Sequence, residues 1–296
     1  MKPAAEIAIN EDLALRLLAE QYPDLSHLPL EYLDSGWDNV IYRLGDRFCL
    51  RLPRRQLAAT LIENEQTWLP RLQDFLTLPI PLPWRIGQPT AYYPWRWSIL
   101  PWLEGLSAES ALPGNDQAKI FGSFLKSLHQ LAPLEAPSNP FRGGSLTIRA
   151  QDIEARLQRI EPEITQIYTQ VREIWQYVLD IPLDVSSRWL HGDLHPGNVL
   201  VLQGKITGII DWGDLTSGDI ATDLAGIWML FPDSTTRKEA IAEYGDISPA
   251  TWSRAIGWAI YFGVTLLDVG LAGNQKQAVV GARTLACVTD DWFSDR

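Results

Sequence analysis

The spacing of apolar and polar positions changes along this chain. In "PLEYLDSGWDNVIYRLGDRFCLRLP" hydrophobic residues alternate with polar ones in short runs, broken at Asp34-Ser35-Gly36 and at Gly45-Asp46. That pattern predicts three strands joined by tight turns. Before it, Leu13, Leu15, Leu17 and Leu18 among charges predict a short amphipathic helix over 11–20. After it, residues 57–73 switch to helical period, with Leu61, Ile62, Trp68, Leu69 and Leu72 on one face. Proline-punctuated strands are expected at 79–86 and 96–101. Beyond them helices are predicted at 115–131, 150–178, 219–230, 237–244, 249–271 and 275–288, interrupted by strand and hairpin over 188–211. A β-rich first third and a helical remainder place the chain in the α+β class. They suggest two lobes, 1–101 and 102–296, joined near Pro101-Trp102, and a cleft between lobes is a favoured place for a ligand.

Composition narrows the class. The 296 residues are 46% hydrophobic and 21% charged, as in an ordinary globular protein. The two cysteines, Cys49 and Cys287, lie far apart without CxxC spacing, which argues against a zinc ribbon or a disulfide framework and for a reducing cytoplasm. Glu6, Glu11 and Asp12 interrupt the N-terminal apolar residues, so no secretory signal is expected. The longest uncharged run, "AIGWAIYFGVTLL", falls short of the ~20 apolar residues of a membrane span and reads as a buried helix. A net charge of −11 speaks against nucleic-acid binding, which needs Lys and Arg on phosphates. It is compatible with a cationic partner, and equally with solubility alone.

The polar centre of the chain is "LHGDLHPGNVLVLQGKITGIIDWGD". Val199–Leu202 and Ile206–Ile210 read as two strands of a hairpin. A turn at Gly204-Lys205, of the type that wants glycine first, would set Asn198 opposite Asp211 at the open end. Asp193 precedes Asn198 by a loop tightened with Pro196 and Gly197. Such hard oxygen ligands suit Mg²⁺, which accepts one or two carboxylates together with waters and substrate phosphates. Two other readings stay open on the residues alone. His191 and His195 have the spacing of a helical zinc pair, although Gly192, Pro196 and Gly197 disfavour a helix there. A polar turn capped by its own Asp and Asn is the third.

The run His191-Gly192-Asp193-Leu194-His195-Pro196-Gly197-Asn198, followed by Ile210-Asp211-Trp212-Gly213-Asp214, closely resembles the aminoglycoside phosphotransferase and choline-kinase-like family. The resemblance extends over the three-strand opening, the 57–73 helix, the 96–105 connection and the helical remainder. It implies a bilobal protein-kinase-like fold: a small β-rich N-terminal lobe for the nucleotide and a larger helical lobe with catalytic loop, metal site and acceptor pocket. The implied reaction is transfer of the γ-phosphoryl group of ATP or GTP to a small-molecule hydroxyl with Mg²⁺, by positioning and electrostatic stabilisation. In that reading Asp193 is the catalytic base, Asn198 and Asp211 are the metal ligands, and His191 and His195 support the loop. Asp219 and Asp223 would brace the catalytic loop, or equally serve as helix cap and early-turn acid.

On the nucleotide side, "DSGWDN" takes the place of the phosphate-covering loop, with Ser35 and backbone N–H groups near Gly36 as candidate contacts. In "FCLRLP" the side chains alternate, and Arg51 needs a partner among apolar neighbours. Glu65, on the inward face of the 57–73 helix, is the natural one, whereas Glu63 points away. The family usually has lysine where this chain has Arg51, and the two are not geometrically equivalent. Backbone groups of Leu100 to Trp102 would face the purine. Four tryptophans, Trp84, Trp95, Trp97 and Trp102, crowd this region, for packing in most cases.

The acceptor is expected to be an aminoglycoside-like compound or another antibiotic, with macrolides, choline-like alcohols and sugars also open. The partners expected are thus a nucleoside triphosphate and a small hydroxyl compound, without nucleic acid or membrane. Competing readings are a nucleotide-binding pseudoenzyme that regulates a partner, favoured only by Arg51, and a metal-dependent hydrolase built on His191 and His195.

Overall fold

A computed structural model describes residues 3–294, which divide into two compact units. The first runs up to Phe75 and resumes over Ile80–Leu103; the second comprises Leu76–Pro79 and the chain from Glu104 onward.

The first unit begins with α1 (Glu11–Gln21), capped by Asn10, whose side chain accepts from Leu13 N at 2.9 Å. Strands β1 (Leu30–Ser35), β2 (Asn39–Leu44) and β3 (Phe48–Pro53) follow, then α2 (Gln56–Leu72), β4 (Arg85–Gly87) and β5 (Trp97–Pro101). The five strands form one antiparallel sheet in the order β1-β2-β3-β5-β4. Alternation decides which face is buried. Val40, Tyr42 and Leu44 of β2 and Leu50 and Leu52 of β3 join Leu17, Leu18 and Trp97 in the core. The face opposite receives Arg51 and the inward side of α2, where Ile62, Glu65, Gln66 and Leu69 are buried. Gln66 fastens α2 to β5 by donating to Trp97 O at 3.1 Å and Ser98 Oγ at 3.0 Å. The strand expected over 79–86 is reduced to Arg85–Gly87, because Pro79, Pro81 and Pro83 supply no ladder donors.

The second unit opens with β6 (Leu106–Ser107) and α3 (Ala118–Leu128). The helix expected over 150–178 is two, α4 (Ala150–Ile160) and α5 (Tyr168–Leu179), since Pro162 ends the first in a 3-10 turn. Three strands follow, β7 (Arg188–Leu190), β8 (Val199–Leu202) and β9 (Lys205–Ile209), then β10 (Thr216–Gly218), which pairs with β7. Strand β8 lies between β6 and β9. The predicted 219–230 helix is divided into α6 (Ala221–Leu224) and α7 (Gly226–Leu230). The chain then forms α8 (Ser234–Tyr244), α9 (Pro249–Leu271) and α10 (Gln275–Ser294).

Helix α9 is long and apolar enough to cross a membrane by length and composition, but it is the central core helix of this unit. It packs against α4, α5, α6 and α10. Small residues let α10 approach closely: a Cβ on Gly281 would lie 2.4 Å from Leu267 N. Arg254, near the start of α9, is buried among acids. Its Nε is 2.7 Å from Asp219 Oδ2 and its Nη2 is 2.7 Å from Asp184 Oδ1. Removing one partner of a buried pair strands the other charge, at about 3–5 kcal/mol. Arg254→Ala is therefore expected to lose that much in equilibrium urea unfolding, a large share of the ~5–15 kcal/mol of a typical domain. A loss below about 1 kcal/mol would show that Asp219 does not need its partner.

Candidate active site

The catalytic-loop residues lie in the second unit. His191 and Gly192 follow β7, and both of their backbone N–H groups are capped by one carboxylate. Asp223 Oδ2 accepts from His191 N at 2.7 Å and Oδ1 from Gly192 N at 2.9 Å. Asp223 is fully buried at the start of α6. Of the two roles open for it, loop bracing is the one its side chain performs. Asp219 does something of both: Oδ1 accepts from Ala221 N at 3.3 Å, and the carboxylate pairs with Arg254. Gly192 has φ +85°, and a Cβ there would sit 2.4 Å from Asp214 O, so only glycine fits this turn.

Asp223→Ala would leave two buried N–H groups unpaired, each at about 1–3 kcal/mol. The expected result is a melting temperature lowered by several degrees together with a loss of catalytic rate. Retention of both wild-type values would assign the loop's geometry to other contacts.

His191 is buried against Trp212, with ring centroids 4.6 Å apart. Its Nδ1 accepts from Asp193 N at 3.3 Å, so the ring proton is on Nε2, 3.0 Å from Ile210 O. Both nitrogens are thus committed to the protein, which removes this histidine from a zinc pair. His195 accepts from Gly197 N at Nδ1, 3.0 Å, and directs Nε2 toward Asp193 Oδ2 at 3.5 Å. Burial alone would lower the His195 pKa, but the Asp193 charge outweighs it and raises it.

Asn198 Nδ2 donates to Asp193 O at 2.9 Å and lies 3.5 Å from Asp193 Oδ2. That choice of donor leaves the carboxamide oxygen as the group able to ligate a cation. The hairpin register differs from the one predicted. The turn is Gln203-Gly204, with φ +52° and +78°, and Leu202 faces Lys205. These left-handed angles at both central residues make a type I′ turn, which matches strand twist. A register shift between Leu200 and Val201 then brings Val199 opposite Ile209. Asn198 O accepts from Ile210 N at 2.9 Å, so Asn198 opposes Ile210 and not Asp211. Asp211 is the next residue, and its φ of +60° and ψ of +68° turn the chain out of the strand. Aspartate is one of the few non-glycine residues that adopt this conformation readily. With Asn198 Oδ1 and the Asp211 carboxylate on neighbouring positions, the donor set is all hard oxygen and fits Mg²⁺.

Arg142 is a member of this site that no sequence pattern marks. Its Nη2 donates to Asp193 Oδ1 at 2.7 Å and lies 3.9 Å from Asp214 Oδ2, while Nη1 donates to Tyr261 OH at 2.9 Å. Asn139 Nδ2 holds Asp214 Oδ1 at 2.6 Å. Burial would raise the Asp193 carboxyl, but the Arg142 guanidinium and then His195 hold it well below the usual carboxylate range. Asp214 goes the other way, pushed up by burial and by the Asp193 charge. The only signal for Arg142 was a lone arginine in "APSNPFRGGSL", a stretch without periodicity.

The first unit holds the residues expected to serve the nucleotide. Arg51 Nη1 donates to both Glu65 oxygens, at 2.9 and 2.6 Å, and both side chains are buried. With its carboxamide oxygen turned to the guanidinium, Asn39 accepts from Arg51 Nε and Nη2 at 3.0 Å each. The loop at Ser35-Gly36 departs from expectation. Gly36 N–H closes its own turn on Asn39 O at 2.8 Å, and Arg54 Nη1 donates to Gly36 O at 3.0 Å, so this N–H is engaged within the loop. At the end of β5, Leu100 pairs with Cys49. Pro101 has no N–H, and Trp102 N donates to Arg47 O at 2.8 Å. Trp95 and Trp97 are core residues, Trp84 stacks on Phe48 and Trp102 lies under Arg43.

Residues 29–258 match the phosphotransferase enzyme family, and the chain belongs to it. It is therefore a phosphotransferase. None of the curated proteins matches it. Among solved structures it resembles the GDP complex of wild-type aminoglycoside 2'-phosphotransferase-IIIa, with 19% identity, 96% of this chain and 99% of that chain covered, and a TM-score of 0.66. A GDP and kanamycin complex of APH(2")-IIia is also 19% identical, over 94% of this chain and 98% of that one, with a TM-score of 0.67. The apoenzyme of macrolide 2'-phosphotransferase MphH from Brachybacterium faecium is 22% identical over 92% and 97%, with a TM-score of 0.61. The α+β architecture, an antiparallel sheet region followed by a helical one, is the fold these kinase-like enzymes share with this chain.

Proposed function

We propose that this protein moves the γ-phosphoryl group of ATP or GTP to a hydroxyl of a small molecule, with Asp193 as the base. The observation that carries the reading is the clamp of Asn198 on Asp193, with Asp211 one residue beyond its strand partner. Family membership and the nucleotides held by similar structures, GDP, ATP and ADP, support a nucleotide donor. Kanamycin, gentamicin and streptomycin complexes and the macrolide enzymes support an acceptor of antibiotic size. The unpaired thiols Cys49 and Cys287 accord with work in a reducing cytoplasm.

The acceptor oxygen attacks the γ-phosphorus, its O–H proton passes to Asp193, and the β–γ bridging P–O bond breaks to release the diphosphate. Asp193 is held for this by three neighbours, Arg142, His195 and Asn198. A carboxylate so paired is a weak base, which suits a loose transition state in which the proton leaves late. Asn198 and Asp211 would hold Mg²⁺, which when bound neutralises phosphate charge. In the first unit, Arg51 is fixed by Glu65 and Asn39 and presents a guanidinium in the place of the family's lysine.

The test is a screen of hydroxyl compounds for ATP- or GTP-dependent phosphorylation, with Asp193→Ala as control. Transfer that is unchanged in Asp193→Ala would reject the assignment. A protein that binds nucleotide but shows no Asp193-dependent turnover would instead be a regulatory binding protein.

A further inference from the structure

Arg142 stands where the acceptor must approach. If Asp193 is the base, as proposed above, the reacting hydroxyl lies about 2.6–3.2 Å from its carboxylate. Asp193 Oδ1 already takes Arg142 Nη2 at 2.7 Å, so atoms one or two bonds from the reacting oxygen fall beside the guanidinium. The side chain is rigidly placed. Tyr261 OH accepts from Nη1 at 2.9 Å, and the Tyr261 and Phe262 rings lie 5.6 and 5.3 Å from the guanidinium carbon. Nε is buried and has no hydrogen-bond partner among the described residues. A buried donor of a charged group left unmatched points to an oxygen acceptor that arrives with a ligand.

The charges around it favour the same class of ligand. The two carboxylates nearby are already engaged, Asp193 by Arg142 and Asp214 by Asn139 Nδ2 at 2.6 Å, with Arg142 at 3.9 Å. His191 and His195 also face Asp193, and Glu109 Oε1 lies 3.9 Å from His195 Nδ1, at the ring nitrogen opposite the one that faces Asp193. An ammonium group next to the reacting hydroxyl would thus meet a fixed guanidinium, and the two carboxylates beside that guanidinium, Asp193 and Asp214, are already engaged. An oxyanion would fill the Nε–H and gain a charge-assisted bond.

We infer that Arg142 is the acceptor-selecting residue of this enzyme, and that its acceptor carries a carboxylate or phosphate close to the hydroxyl that is phosphorylated. This separates the chain from the enzymes of like fold whose structures hold kanamycin, gentamicin or streptomycin.

The test uses the full chain and matched acceptors: hydroxy acids beside their carboxamides, phosphorylated alcohols beside the unphosphorylated alcohols, and kanamycin as the polyamine. Wild-type enzyme is expected to prefer the anionic member of a pair by roughly 10- to 100-fold in kcat/KM, the value of one charge-assisted hydrogen bond. Arg142→Gln removes that preference through KM, and Arg142→Lys restores part of it. The carboxylate and phosphate arms tell which oxyanion is used. A preference for kanamycin, or an anion preference that Arg142→Gln leaves intact, overturns the inference. So does silence of the whole panel when nucleotide hydrolysis to water still depends on Asp193, a result that leaves the phosphotransfer reading standing. If that hydrolysis is also independent of Asp193, both fail.

Discussion

Asp211→Asn is expected to abolish nucleotide-dependent transfer, by about 10³-fold or more, while thermal unfolding stays at the wild-type temperature. The rate loss follows from the several kcal/mol that a bound metal contributes to a phosphoryl-transfer transition state. Asparagine is the right replacement because residue 211 sits at φ +60°, a left-handed conformation that Asn tolerates and Ala does not. The substitution keeps shape and backbone preference and removes the negative charge. Circular dichroism melts and a Mg²⁺ titration of turnover read the two halves separately. Wild-type turnover in this variant would show that Asp211 is no metal ligand.

The second large effect belongs to Asp193→Ala, whose transfer rate should fall by about 10²–10⁴, the usual contribution of a positioned general base. Nucleotide affinity should be preserved, because the contacts of Asp193 are with Arg142, His195, Asn198 and His191, none of them among the residues proposed for the nucleotide. The variant also frees Arg142 from its counter-charge, so part of the loss will come from a disordered acceptor side. A double variant with Arg142→Gln separates the two: if Arg142 acts only through Asp193, the second substitution costs nothing more. Tight calorimetric binding with no turnover is the expected pattern. Loss of nucleotide binding instead would place Asp193 on the donor side.

Much of this was legible in the residues. Alternation in "NVIYRL" and "FCLRLP" puts Val40, Tyr42, Leu50 and Leu52 inward whatever the rest of the chain does, because side chains change face at every strand residue. The same periodic logic singled out Glu65 over Glu63 on α2, and the structure pairs Glu65 with Arg51. The order Asp193, Asn198, Asp211 was readable too, since loop-tightening residues and a hairpin are local features.

What the residues left undecided depended on partners distant in sequence or on single backbone angles. The hairpin turns one residue earlier than expected because Gln203 joins Gly204 in a left-handed conformation, and the bulge between Leu200 and Val201 takes back half of the resulting shift, which leaves Asn198 opposite Ile210. Nothing in the pattern distinguishes the two turns. Asp223 could be cap or brace until β7 and α6 were brought together and its carboxylate met His191 and Gly192 N–H.

The sequence by itself determined the α+β order of elements, the inward faces of the strands and the chemical identity of the central acid, amide and acid. Those are set by short-range period and turn chemistry. Only the tertiary structure decided which charges neutralise each other. Arg142 stands 51 residues before Asp193 in the chain, and Arg254 lies 35 beyond Asp219. Ion pairs follow proximity in space, and no local pattern encodes that.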